Sequence, residues 1–260
     1  MDAASWISNY ADAGLDPFEP MPVQLVAQGY DVWMGNNRGT RYSNKLVGDL
    51  YDHADDPMYT SDYASQNKLK FDYSWFEMGI SDLPAMIDKV VEVTQQPKIT
   101  YIGYSQGTSQ MFYGLTQKED TYFADKVAKA IFMAPCIYTT GMGLDSYLAI
   151  YPAWRDAGVN VVHDSNWSFD LEAICHGETP EACDFAKGIE GGQPNSVKSF
   201  ELYGQIAIAD KFQVYNRRFS ATNTEAQPVK PGLDSIDTVP IQMMVANNDS
   251  ICSAASAKRL

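Results

Sequence analysis

The chain has 260 residues, enough to bury a sizeable core, and one α/β domain with an inserted subdomain suits that length better than two independent domains. Its 33 Asp and Glu outnumber 19 Lys and Arg, and the net charge of −14 repels phosphate backbones, which argues against nucleic acid as a partner. Apolar residues make up an ordinary 45% of the chain, no apolar run approaches the roughly 18 residues of a membrane helix, and the first ten residues lack the basic cluster of a signal peptide.

From Ala4 a helical segment is expected to end near Gly29 and to lead into an apolar strand over residues 30–35, stopped by Asn36-Asn37-Arg38-Gly39. After a polar stretch rich in Asp and Tyr, Ser81 or Asp82 can cap a helix that holds Pro84 in its first turn and buries Met86, Ile87, Val90 and Val91. Residues 98–104 carry the β-branched and aromatic side chains of a buried strand, and 106–117 read as a helix with Met111, Phe112 and Leu115 inward. A further helix ends near Lys129, before a strand over 130–135 that is stopped by its proline. A fourth strand is expected over 239–246, just before Asn247-Asn248-Asp249. Strand and helix alternate, which implies a mostly parallel sheet covered by helices on both faces. Between about Cys136 and Phe212 the alternation breaks, and aromatic residues such as Tyr138, Tyr147, Trp154 and Trp167 stand among acidic ones. The expected organisation is therefore a core over 1–136 and 213–260, with a cap, or lid, inserted over 137–212.

Between the second expected strand and its helix lies Gly103-Tyr104-Ser105-Gln106-Gly107, a Gly-x-Ser-x-Gly pattern in the strand–turn–helix setting of a nucleophile elbow. A strand turning at once into a helix brings two backbones together, and side chains at Gly103 and Gly107 are expected to collide there. Ser105 would then stand strained and exposed at the tip. The amide of Gln106, at the start of the helix, would face an oxyanion developing on a bound acyl group.

Cys175 and Cys183 bracket the short polar segment 176–182, a spacing that a disulfide across a surface loop could close. Cys136 and Cys252 read as buried thiols. A zinc site wants more ligands at tight spacing than His176 and two distant cysteines supply, so no metal is expected. Asn166-Trp167-Ser168 and Asn248-Asp249-Ser250 are glycosylation sequons and lean toward a secretory route.

Several segments together resemble the acid lipase family of α/β-hydrolases, the group of the gastric and lysosomal acid lipases. The run from Asp31 to Thr40, Asp-Val-Trp-Met-Gly-Asn-Asn-Arg-Gly-Thr, is similar to that family's Asp-Val-Trp strand leading to Asn-x-Arg-Gly. Phe71-Asp72-Tyr73-Ser74-Trp75-Phe76-Glu77-Met78 and Asp82-Leu83-Pro84-Ala85 are similar to its approach to the elbow. The elbow itself resembles the family's Gly-His-Ser-Gln-Gly-Thr, with Tyr104 in place of the histidine. Tyr203-Gly204-Gln205 and Lys211-Phe212-Gln213 echo further positions, and the Cys175 and Cys183 pair matches a family disulfide in spacing.

The resemblance implies an α/β-hydrolase fold with a cap and a serine hydrolase acting on lipid esters of the triacylglycerol or sterol ester class, at a lipid–water interface and without a cofactor. It also implies a secreted or lysosomal location. Ser105 matches the nucleophile, Gln106 the oxyanion donor and Asp249 the acid that orients the triad histidine; a turn residue is the plain alternative for Asp249. The family's upstream His-Gly pair and its histidine after the acid have no counterpart here, since His53, His163 and His176 all precede Asp249. The chain thus reads as a fragment without its first strands and last helix, itself a weak catalyst at most. A noncatalytic lipid- or protein-binding scaffold and an esterase or thioesterase for small soluble acyl donors remain as alternative readings.

Overall fold

The computed structural model describes residues 19–40, 43, 71–118, 121–138, 161–162, 195–219, 223–249 and 252–260, with only the backbone at 161, 162 and 195. Among them the strands are β1 (Ile99–Tyr104), β2 (Val127–Met133), β3 (Val161–Val162), β4 (Asn195–Ser196) and β5 (Ile241–Met244). The α-helices are α1 (Met21–Ala27), α2 (Trp75–Glu77), α3 (Leu83–Thr94), α4 (Gln106–Gln117), α5 (Tyr122–Lys126), α6 (Val197–Ala209) and α7 (Ala254–Ala257).

β1, β2 and β5 form a parallel sheet in that order, in agreement with the strand–helix alternation of the sequence. Parallel strands need a crossover, and α4 with α5 carries the chain from β1 to β2. Gly103 pairs with Phe132 and Phe132 with Met243, so the carboxyl ends of all three strands lie along one edge. β3 and β4 make a separate antiparallel pair.

The core forms where α4 lies on the sheet. Met111 and Phe112 are buried as expected, and Phe112 meets Phe132 of β2 edge to face, with ring centroids 4.8 Å apart. On the other flank of α4, Tyr113 stacks on Phe212 at 4.4 Å and meets the fully buried Trp75 at 6.0 Å. Trp75 in turn packs on Tyr203 of α6, at 3.8 Å, and its indole N–H donates to the Ser199 carbonyl at 2.7 Å. Burying an indole without that acceptor would cost about 1–3 kcal/mol, so the bond secures α6 to the core as firmly as the apolar contact does.

Several sequence expectations differ from the fold. Residues 30–35 form no strand; they have no sheet partner among the described residues, and Tyr30, Trp33 and Met34 are exposed. An apolar run signals compatibility with a sheet, but a strand exists only where neighbouring backbone accepts its ladder. The first helix does stop short of Gly29, which takes φ +90°, and is described only from Met21.

The helical run around Pro84 begins eight residues before Asp82, at Ser74. There a capping box closes, with the Phe76 amide donating to the Ser74 hydroxyl and the Glu77 carboxylate accepting from the Ser74 amide at 2.7 Å. A π-helical turn over Met78–Asp82 then joins α2 to α3. Asp82 caps nothing with its side chain; it is engaged by Arg38 instead. In α3 Ile87 is buried, with Leu83 and Pro84, whereas Met86, Val90 and Val91 are only half-buried.

The helix expected to end near Lys129 ends at Lys126, and β2 starts at Val127. Lastly, Cys136 and Cys252 are buried as expected but are not thiols: they form a disulfide with Cα atoms 4.8 Å apart. Two cysteines 116 residues apart carry no spacing signal for each other, so only the fold reveals the pair.

Candidate active site

At the end of β1 the chain turns into α4 on one residue. Ser105 takes φ 50°, ψ −116°, a conformation that costs a non-glycine residue on the order of 1–3 kcal/mol and persists only where its surroundings enforce it. Those surroundings are specific. The Ser105 amide donates to the Met133 carbonyl at 2.9 Å, which prolongs the β1–β2 ladder onto the serine. Its carbonyl accepts from the Thr108 amide at 2.9 Å and from the Thr108 hydroxyl at 2.6 Å. The serine is thus pinned on the sheet side and on the helix side.

The close approach of strand and helix falls on one of the two glycines. A Cβ at Gly103 would lie 2.9 Å from the Tyr101 ring and 3.0 Å from the Gly107 carbonyl carbon. At Gly107, by contrast, a Cβ would meet only the Tyr101 hydroxyl, at 3.5 Å, so the collision expected there does not occur. Tyr101 fills the space between: its hydroxyl donates to the Gly107 carbonyl at 2.9 Å. Burial pushes that phenol far above its ordinary range, so it stays neutral and a donor.

Gln106 is the first residue of α4, where helix amides lack intrahelical acceptors and the dipole favours negative charge. Its side chain is directed to the π-helical turn, donating to the Met78 sulfur at 3.2 Å, and Gln110 donates to the same sulfur at 3.1 Å. The elbow helix is therefore keyed to the segment before α3 through a buried thioether. Gly79 in that turn makes this possible, since a Cβ there would stand 2.3 Å from the Gln110 carbonyl oxygen.

Asp249 follows the end of β5 by a short turn, its amide donating to the Ala246 carbonyl at 3.3 Å. One carboxylate oxygen accepts from the Cys252 amide at 2.7 Å. Because β1, β2 and β5 are parallel, Ser105 and Asp249 both leave the sheet at its carboxyl edge, with β2 between them. Two strand spacings amount to about 10 Å, comparable with the roughly 8 Å that an imidazole needs to hydrogen-bond a hydroxyl on one side and a carboxylate on the other. Tyr104, beside the serine, is partly exposed on the same edge.

The disulfide joins the two arms of this edge. Cys136 stands three residues beyond β2, and Cys252 three beyond Asp249. The Cys136 amide donates to the Thr108 hydroxyl at 3.0 Å, and the Ser109 hydroxyl donates to the Cys136 carbonyl. Sequence reasoning assigned no part to this pair, to Thr108 or to Met78.

His53, His163 and His176 lie outside the described residues, as do Cys175, Cys183 and the parts of the expected cap over 139–160 and 163–194. Among the described residues no His, Cys, Asp and Glu gather into a metal-binding group, and no helix is long and apolar enough to cross a membrane.

Residues 10–254 match the family model for the alpha/beta hydrolase fold. The chain is 38% identical over 254 residues to Lipase 1 of Drosophila melanogaster, covering 88% of this chain and 54% of that one. It is 37% identical over 185 residues to Lipase lipl-3 of Caenorhabditis elegans, covering 65% and 42% respectively. Triacylglycerol lipase 2 of Arabidopsis thaliana is 34% identical over 143 residues, covering 55% and 28%. The chain spans about half the length, or less, of these curated relatives.

Proposed function

From the premise that this chain belongs to the alpha/beta hydrolase fold family, we propose that it supplies the nucleophile and the acid of a lipase-type serine ester hydrolase. The observation that carries the reading is the placement of Ser105 and Asp249 at one edge of the parallel sheet, with the serine held in a strained elbow conformation. The lipase relatives support lipid esters, of the triacylglycerol or sterol ester class, as substrates.

In the proposed reaction the Ser105 hydroxyl oxygen bonds to the ester carbonyl carbon while a histidine takes its proton. The oxyanion is held by the Gln106 amide at the helix start. Collapse breaks the ester C–O bond, the histidine protonates the departing alcohol, and water then hydrolyses the acyl-serine by the same route. Asp249 holds the histidine in its working tautomer and stabilises the imidazolium. In the order Ser, Asp, His the base follows the acid, and residues 250–260 hold no histidine. The proposal therefore assigns the base to none of residues 250–260.

Residues 137–212 are proposed as the insertion that caps this edge, between core segments 1–136 and 213–260, with its closing helix α6 anchored in the core and Cys175 and Cys183 bonded within it. The buried Cys136–Cys252 disulfide supports an oxidising compartment, secreted or lysosomal, since such bonds are rare in the cytosol.

Hydrolysis of short- and long-chain p-nitrophenyl esters by protein expressed from the complete reading frame, with Ser105→Ala alongside, tests this. Long-chain turnover that vanishes in the serine variant is expected. Turnover that persists in the variant overturns the assignment of Ser105, strict short-chain preference favours a small-ester hydrolase, and silence in both proteins favours a binding scaffold.

A further inference from the structure

We propose that the Cys136–Cys252 disulfide is a positioning device for catalysis, which sets the acid against the nucleophile across the intervening strand. The inference rests on the assignment of Ser105 and Asp249 given above.

The two residues follow the ends of different strands with β2 between them, and loops that follow strand ends are the least constrained part of such a sheet. Here a continuous path of short contacts runs from one to the other. The Thr108 hydroxyl donates to the Ser105 carbonyl at 2.6 Å, and the Thr108 hydroxyl oxygen accepts from the Cys136 amide at 3.0 Å. Cys136 is bonded covalently to Cys252, whose amide donates to the Asp249 carboxylate at 2.7 Å. Ser109 adds a second tie from the elbow helix to the Cys136 carbonyl. Thr108, Ser109, Cys136 and Cys252 are each 2% exposed or less, so the middle of this path is shielded from water, while its ends at Ser105 and Asp249 are half-buried.

The alternative is a staple that only stabilises the fold, closing a long loop of the unfolded chain. A staple of that kind could bond any two neighbouring surface segments. This one ends on the amide that grips the acid and on the backbone that grips the elbow, so loosening it releases Asp249 at the turn where its carboxylate is fixed. At metal sites, partners that orient a ligand without touching substrate carry roughly 10- to 100-fold in activity, and a carboxylate oriented in the same way is expected to respond on that scale.

The test uses protein from the complete reading frame, with active sites counted by a p-nitrophenyl phosphonate that reacts with the nucleophilic serine. In Cys136→Ser/Cys252→Ser, kcat per titrated site is expected to fall roughly 10- to 100-fold with KM unchanged. A staple-only role predicts fewer titratable sites and a lower Tm, with kcat per remaining site unchanged, and that result overturns the inference. Should the double variant fail to fold, Thr108→Val and Thr108→Ser decide. Loss of kcat in the valine variant and its retention in the serine variant are expected, because serine keeps the hydroxyl that joins Ser105 to Cys136; equal kcat in both refutes the relay. Activity that survives Ser105→Ala would instead sink the underlying site assignment, and so separates the two failures.

Discussion

Arg38 grips Asp82 three times: its backbone amide donates to one carboxylate oxygen at 2.9 Å, and Nε and Nη2 approach the other at 2.7 and 2.5 Å. The Asp82 side chain is only 12% exposed, and the Tyr73 hydroxyl closes over the same loop by donating to the Arg38 carbonyl at 3.0 Å. The unpaired segment 30–35 is thereby held to the start of α3. Exposed pairs such as Lys89–Glu92 contribute a few tenths of a kcal/mol, and half-buried forked pairs contribute more. Asp82→Ala is expected to cost about 2 kcal/mol in denaturant unfolding. A change under about 0.5 kcal/mol, the scale of an exposed pair, would show that Arg38 finds other partners.

The two elbow glycines are expected to respond oppositely to alanine. Gly103→Ala drives a Cβ into Tyr101 and the Gly107 backbone, at a cost of about 1–3 kcal/mol. Gly107→Ala has room, lies in the first turn of α4, and takes no left-handed φ, so helix propensity should leave stability equal or raise it by up to about 1 kcal/mol. Paired thermal melts of the two variants check this; equal losses would contradict the asymmetry.

Ser105→Gly should trade function for stability. Glycine relieves the φ 50° strain of about 1–3 kcal/mol and adds about 0.5–1 kcal/mol of chain entropy on the unfolded side, for a net gain. The measurement is Tm alongside esterase rate in the complete protein: a rise in Tm with loss of turnover is expected, and a fall in Tm would mean that the serine side chain itself stabilises the turn.

Asp249→Asn keeps an oxygen for the Cys252 amide, so the turn and the melting temperature should be preserved. The carboxylate charge is lost, and turnover of the complete protein should drop by about 10⁴, as in serine protease triads. A loss below about tenfold would reassign Asp249 as a turn residue, the alternative that its Asn-Asn-Asp context allows.

What could be read in the sequence follows the range of the interactions. Gly103, Ser105 and Gly107 announce the elbow because a turn is a local event, and the capping box of Ser74 and Glu77 is equally local, although Ser81 and Asp82 compete with it as caps in the sequence. Asp82 resembles a cap in sequence; only the fold brings Arg38, 44 residues away in the chain, to its carboxylate. The apolar run at Tyr30–Met34 announced a strand, yet pairing is a property of neighbours that the run does not encode. The Cys136–Cys252 bond, with its hold on Asp249, lies at the far end of this scale. The nearer pair, Cys175 and Cys183, drew attention by spacing alone.

The same difference in range sets a schedule for synthesis. The elbow, α4 and the β2 edge that pins Ser105 come from one stretch, 99–133, whereas the acid arrives with β5, and the bond that fixes it spans 116 residues. At about 5–20 residues per second a ribosome needs roughly 6–23 s to cover that distance. Through that interval the nascent chain holds the elbow segment without the strand and the cysteine that bring Asp249 to it. The proposed serine and the proposed acid can therefore be tied together only once Cys252 has been made.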